Sequence, residues 1–214
     1  MATPTLPTVP SRYLARVREL LKGGQRKVLG LVGPPGAGKS TLALALQHAF
    51  ADVSQVVPMD GYHLANAELQ RLGRAQRKGA PDTFDSAGYA ATLRRLREQP
   101  PDETVYVPEF RREIEEPVAG VIPVFAHTRL IITEGNYLLL DSGHWASVAA
   151  LLDDVWYVDV DDSLRTQRLT QRHEQFGRSR QDAEDWVTVT DEPNALLIAT
   201  TKPSAKLVFR WDAA

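Results

Sequence analysis

The chain has no cysteine, which excludes disulfides and thiolate-held metals and permits a reducing compartment. It also has no apolar run of transmembrane length, and its N-terminus lacks the basic-then-apolar pattern of a secretory signal. The expectation is a cytoplasmic protein with no membrane partner. A basic excess is absent too: 25 Lys and Arg stand against 27 Asp and Glu, a formal charge of −2. No overall field therefore favours nucleic acid, and a charged ligand must be met by a local cluster. At 214 residues, 43% apolar and 24% charged, the chain reads as one ordinary globular domain.

The most informative stretch present is residues 33 to 40, Gly-Pro-Pro-Gly-Ala-Gly-Lys-Ser, which fit the phosphate-loop pattern G-x-x-x-x-G-K-[ST]. In such a loop glycines let backbone N–H groups turn inward around phosphate oxygens, the lysine reaches the outer phosphates, and the hydroxyl is offered to Mg²⁺. The helix that follows adds the positive end of its dipole. Gly33, Pro34, Gly36, Ala37, Gly38, Lys39, Ser40 and Thr41 are the expected nucleotide contacts. The setting agrees, because an apolar segment at 28 to 32 precedes the loop and a helix-forming segment at 42 to 50 follows it.

Apolar spacing and breakers divide the rest. Residues 1 to 10, rich in Thr and Pro, read as a flexible lead-in, and a helix starts at Ser11 with Leu14, Val17 and Leu21 on one side. A strand at 53 to 59 delivers Asp60. Residues 71 to 82, basic and broken by Gly and Pro, read as a loop or mobile arm. Asp85 caps a helix whose Tyr89, Leu93 and Leu96 face inward. A short strand at 105 to 107 leads to a loop at 108 to 112. Apolar strands at 130 to 133 and 155 to 160 deliver Glu134 and Asp159, a helix spans 163 to 176, another at 182 to 189 turns Trp186 inward, and residues 206 to 211 form a closing strand. Strands alternating with helices predict an α/β, doubly wound, mainly parallel sheet of about five strands flanked by helices.

A phosphate loop alone does not choose among switch, motor and kinase. A guanine-nucleotide switch needs N-K-x-D, which is absent, and the D-x-x-G at residues 85 to 88 opens a helix, so it does not follow a strand. A motor ends its metal-binding strand in Asp, whereas this one ends in Glu134. A phosphotransferase needs an aligning carboxylate, a metal and cations around the transferred group. Asp60 suits the first role, Ser40 with Glu134 the second, and Lys39 the third. Arg165, Arg168 and Arg172 at i, i+3 and i+7 share a helical face; they either pair with Asp161, Asp162 or Glu174 at the surface or form a lid over the nucleotide. His63 either touches substrate or makes a structural hydrogen bond.

With those residues in place, the chain resembles the phosphate-loop kinases that include uridine kinase, pantothenate kinase and phosphoribulokinase, especially their small bacterial nucleoside or fructose-transport kinase-like members. Residues 59 to 63, Met-Asp-Gly-Tyr-His, look like the family's D-G-[FY] segment. Residues 77 to 85, Arg-Lys-Gly-Ala-Pro-Asp-Thr-Phe-Asp, resemble the K-G-x-P-E-[ST]-[FY]-D stretch of pantothenate kinases. Residues 134 to 137, Glu-Gly-Asn-Tyr, are similar to the E-G segment near metal and substrate, and the arginine row looks like the family's lid. Residues 108 to 112 keep only part of the stretch that uridine kinases place against the nucleoside.

The resemblance implies a P-loop NTPase fold with a helical lid at about 163 to 180, and an acceptor arm at about 62 to 84 and 106 to 124. It implies ATP and Mg²⁺ as cofactors, and as partner a small metabolite with a hydroxyl group: pantothenate, a nucleoside or a sugar. It implies Arg168 beside Asp60, Lys39 and Glu134 in catalysis, and Tyr62, His63, Arg77, Lys78, Phe110, Arg111, Asn136 and Tyr137 as acceptor contacts. A homodimer is left open. The competing readings are a nucleoside monophosphate kinase, with the basic segment 71 to 78 holding the acceptor phosphate, and a non-catalytic nucleotide-sensing module, with the helix at 11 to 22 as its partner surface.

Overall fold

A parallel five-stranded sheet sorts the apolar residues into two layers, as a computed structural model describes for residues 6 to 211. The elements run α1 (Ser11–Leu20), β1 (Lys27–Val32), α2 (Lys39–Ala49), β2 (Ser54–Pro58), α3 (Asn66–Arg71), α4 (Ser86–Arg97), β3 (Thr104–Arg111), β4 (Glu116–Phe125) and β5 (Leu130–Gly135). They continue with β6 (Asp154–Val158), α5 (Asp162–Gln175), α6 (Arg180–Trp186), α7 (Glu192–Ala199) and β7 (Leu207–Phe209). The sheet order is β2-β5-β1-β6-β7, and every neighbouring pair is parallel. The chain moves outward from β1 in one direction, returns, and then builds on the other side. The carboxyl end of β1 is therefore the switch point where such sheets open a ligand crevice.

Strand alternation makes the sandwich. In β1, Val28 and Val32 enter the layer that holds Tyr89, Leu93 and Leu96 of α4, while Leu29 and Leu31 enter the opposite layer with Leu42 and Leu46 of α2. Both faces are covered, which is why the central strands read as continuous apolar runs. In the second layer α1 contributes Tyr13, Val17 and Leu21, and Arg16 clamps Asp154 with bonds of 2.6 and 2.9 Å. The apolar side of α1 is thus occupied by the chain's own core, and its polar side, with Arg18 and Glu19, is exposed.

Two expectations need correction. Of the flexible lead-in, residues 1 to 5 lie outside the described residues, but Val9 is buried and Leu6 packs against the second layer, because the segment runs on into α1. The short strand and loop at 105 to 112 are instead one strand, β3, paired antiparallel with β4 across a bulge between Val107 and Glu109. Pro108, Pro117 and Pro123 with Gly120 hid the period-two pattern; Pro108 sits at the bulge, and a two-stranded hairpin, in which each strand is an edge, tolerates the other two at half-buried positions.

Candidate active site

The phosphate loop is shaped by two left-handed glycines, Gly36 at φ +79° and Gly38 at φ +87°. A Cβ at Gly36 would lie 2.8 Å from the Arg165 carbonyl oxygen and 2.9 Å from Leu169 Cγ, so the loop bears directly on α5. Lys39 begins α2 and is buried. Its ammonium donates to the Pro34 carbonyl at 3.0 Å and to Asn136 Oδ1 at 2.7 Å. Burial pushes its pKa down, against the pull of Glu134 and Asp60. An ammonium held by two uncharged oxygens is poised to exchange them for phosphate oxygens.

Asp60 and Glu134 come from adjacent strands: β2 ends opposite Glu134 of β5, and a short 3₁₀ turn from Met59 to Tyr62 carries Asp60 over the strand end. Ser40 donates to Glu134 Oε1 at 3.0 Å. Burial, reinforced by Asp60, raises the Glu134 pKa. Burial also penalises the Asp60 charge, but His63, Arg112, Lys39 and Arg172 together outweigh it and hold Asp60 below the ordinary carboxylate range. Asp60 is therefore an anion at neutral pH, which is the state an aligning group or base requires.

The other end of the cleft is built from side chains on separate segments. His63 lies between the rings of Phe84 and Phe110, at centroid distances of 4.0 and 4.7 Å. Its Nδ1 is 2.7 Å from the Asp60 carbonyl oxygen; a carbonyl can only accept, so Nδ1 carries the proton. Burial lowers the His63 pKa, which favours the neutral ring with Nε2 as its free acceptor. Arg112 reaches Asp60 Oδ2 at 3.5 Å. Lys78 donates to Asn66 Oδ1 at 2.6 Å and to the Glu115 carbonyl.

These groups line one cleft of about 770 Å³. Of the expected nucleotide contacts it gathers Gly36, Gly38, Lys39, Ser40 and Thr41, with Arg168 and Arg172 from α5. Gly33, Pro34 and Ala37 form the frame of the loop, and Ala37 is buried. Of the expected acceptor contacts it gathers Asp60, His63, Lys78, Phe110, Glu134 and Asn136.

Five expected site residues point elsewhere. Arg165 is 1% exposed and pairs with Glu192 and with Asp162. It shares a helical face with Arg172, but seven residues place it about 10 Å lower along the axis, beneath the loop. Tyr62 is buried, edge-on to Tyr89 at 5.2 Å, and Tyr137 is buried with its hydroxyl on the Gly79 carbonyl. Arg111 pairs with Glu109 at 2.7 Å; strand alternation puts both on the side of β3 away from Phe110. Arg77 is exposed and paired with Asp82. Arg71 is likewise paired with Glu68 at 2.7 Å, and of the basic segment's cations Lys78 alone lines the cleft, beside Ala75 and Gly79.

Arg112, Asn66 and Phe84 also line the cleft and were not among the expected residues; for Arg112 the period-two relation to Phe110 was the available signal. Trp186 faces the cleft, not the core, with Arg178 3.9 Å above its ring. Nearby, His173 meets Asp191 at 2.9 Å, in a stretch of π-helix from Val187 to Asp191. Nothing local in the sequence signals that arrangement, which depends on how the helices after α5 fold back. Asp85 does cap α4, accepting from the Gly88 amide at 2.8 Å, as its helix-opening position implied. Among the described residues no group of three or more His, Cys, Asp or Glu could hold a metal, and no helix is long and apolar enough to cross a membrane.

Comparison with known proteins gives a consistent answer. Residues 28–211 match the family model described as Phosphoribulokinase / Uridine kinase family. A Schizosaccharomyces pombe protein provisionally named a uridine kinase is 35% identical over 192 residues, covering 82% of this chain and 81% of that protein. The uncharacterized Escherichia coli K12 protein YggC is 32% identical over 204 residues, 93% of this chain and 84% of its own. A crystal structure from Silicibacter sp. TM1040, provisionally named a fructose transport system kinase, superposes with a TM-score of 0.85 at 34% identity, covering 94% of this chain and all of that one.

Proposed function

The chain belongs to the Phosphoribulokinase / Uridine kinase family, and on that premise we propose that it transfers the γ-phosphoryl group of ATP to a hydroxyl of a small metabolite: pantothenate, a nucleoside or a sugar. The observation that supports this most directly is an ionised Asp60 facing the same cleft as the phosphate-loop Lys39, with Arg112, Arg168 and Arg172 around it. Residues 163 to 180 act as the lid, and residues 62 to 84 with 106 to 124 form the acceptor arm, within a single domain.

In the transfer, the backbone of residues 33 to 40 and Lys39 hold the β- and γ-phosphates. Asp60 accepts a hydrogen bond from the acceptor hydroxyl and takes its proton as that oxygen bonds to the γ-phosphorus. The bond from the γ-phosphorus to the bridging oxygen breaks, and ADP leaves with the electron pair. Arg168 and Arg172 gather the charge spread over the transferring oxygens, which is the main catalytic requirement of phosphoryl transfer.

The donor set suits Mg²⁺. One hydroxyl and one carboxylate, Ser40 and Glu134, are hard oxygens 3.0 Å apart, and Mg²⁺ takes few protein ligands because it keeps waters and substrate phosphates. Ser40 and Glu134 would hold it, and bound there it supplies charge neutralisation between the phosphates. The raised Glu134 pKa agrees with a carboxylate waiting for a cation. The pairing of Arg71 and Arg77 with local carboxylates weighs against a nucleoside monophosphate acceptor.

The test is ADP release with ATP and Mg²⁺ over a panel of candidate acceptors. At least one should stimulate release well above the water-hydrolysis background, and Asp60→Asn should lower that kcat by about a hundredfold or more with ATP binding retained. Release that no acceptor stimulates, or full turnover by the Asn variant, would remove the basis of the assignment.

A further inference from the structure

The proposed transfer leaves Lys78 without a task. This lysine is half-buried at the acceptor end, where its ammonium donates to Asn66 Oδ1 and to the Glu115 backbone carbonyl. Both are uncharged acceptors, so the side chain is immobilised while its charge is not neutralised by contact. Of the nearby carboxylates, Glu116 is engaged with the Asn66 amide at 3.0 and 3.1 Å. Glu115 is exposed at the cleft edge and acts on Lys78 only through space.

Arg112 shares the location. Both cations lie against the Phe110 ring, Lys78 at 5.1 Å and Arg112 at 5.8 Å from its centroid. Phe110 in turn packs at a tilt against His63, whose Nδ1 donates to the Asp60 carbonyl. A row of aromatic rings therefore runs from the segment that carries the hydroxyl-aligning carboxylate to the two positive charges. Arg172 adds a third cation whose charge is disfavoured by burial and then by Arg112. Against these stand Asp191, Asp60 and Glu115 around Arg172, and Glu115 with Glu116 around Lys78; Asp60 must face the hydroxyl, and none of these carboxylates contacts the Lys78 ammonium. ATP phosphates satisfy Lys39, Arg168 and Arg172, but Lys78 lies at the other end of the cleft.

We propose that the acceptor carries an anionic group, a carboxylate or a phosphate, apart from its reacting hydroxyl, and that Lys78 with Arg112 binds this group beside Phe110. This inference rests on the kinase reading and narrows it: hydroxy acids, of which pantothenate is one, and sugar phosphates are favoured over free sugars and nucleosides. Arg112 already has Asp60 beside it, but an uncharged acceptor would leave Lys78 facing it with no counter-charge in contact, and a site built for an absent charge discriminates strongly. Lys78 is a specificity residue and takes no part in moving the phosphoryl group.

The experiment is a steady-state comparison of hydroxy acids, sugar phosphates, free sugars and nucleosides with wild type, Lys78→Met and Lys78→Arg, each verified as folded by circular dichroism. Anionic acceptors should give the highest kcat/KM, and the hydroxy-acid and sugar-phosphate arms identify which anion is bound. Lys78→Met should raise the acceptor KM by about tenfold to a hundredfold, the range for a charge-assisted hydrogen bond. The ATP KM should change less than about twofold, and Lys78→Arg should recover part of the loss. A free sugar or nucleoside used best, with a KM indifferent to Lys78, would overturn the inference and leave the kinase reading intact. If no acceptor drives ADP release, the kinase reading fails, and calorimetric titration of glycerate and ribose 5-phosphate decides the anion site. Binding lost in Lys78→Met supports it, and no binding dependent on Lys78 overturns it.

Discussion

The two ends of the cleft are made differently. The phosphate end is a single run of backbone, Gly33 to Ser40, whose geometry follows from its glycines and from the helix that starts at Lys39. The other end is assembled from side chains: His63 after β2, Lys78 on the arm, and Phe110 and Arg112 on the hairpin. Backbone recognition serves any nucleoside triphosphate, because every phosphate has the same oxygens. Side-chain recognition can change one residue at a time, so substrate choice belongs at the acceptor end.

The largest expected effect separates the ends outright. Lys39→Ala should lower kcat/KM for ATP by about a thousandfold, the scale of losing a preorganised donor to developing charge, while calorimetric binding of the acceptor alone is retained. Equal loss of acceptor binding would mean that the ends are one unit.

A smaller effect tests α5, where the ends meet. Arg165 and Arg172 share a face, yet Arg165 is a buried anchor paired with Glu192 and Arg172 lines the cleft. Arg165→Ala should cost about 1–3 kcal/mol of stability by leaving Glu192 unpaired, read as a lower melting temperature. Arg172→Ala should instead lower kcat with little change in melting. The reverse pattern would exchange their roles.

The smallest expected effect has an unusual sign. Burial and Asp60 raise the Glu134 pKa, so the folded protein binds that proton more tightly than the unfolded chain. Stability is then fullest below the unfolded glutamate pKa and declines as pH rises through the raised one. Glu134→Gln removes that decline and should raise the melting temperature of the ligand-free protein at pH 7. It should also weaken the stabilisation gained from ATP with Mg²⁺. A ligand-free variant that melts lower would show that the Glu134 charge is adequately compensated.

These contrasts explain what was legible beforehand. The strands β1, β5 and β6 were readable because each is buried along almost its whole length, and Glu134 and Asp60 because they stand at or just beyond the ends of strands. The β3–β4 hairpin was not, since its prolines and exposed face break the alternation. Tyr62 and Tyr137 sit inside readable motifs, but motif membership does not give a side chain's direction, and both turned into the core.

By itself the sequence determined the phosphate loop, the α/β layering and the strand-end carboxylates, because each depends on residues within a few positions of one another. Only the tertiary structure decided which cations meet in the cleft. Arg112 entered it and Arg111 did not, Arg172 lined it while Arg165 went beneath the loop, and Trp186 came to its edge. Those outcomes depend on packing between segments far apart in the chain, where a shift of one residue in a strand or two turns along a helix changes what a side chain meets.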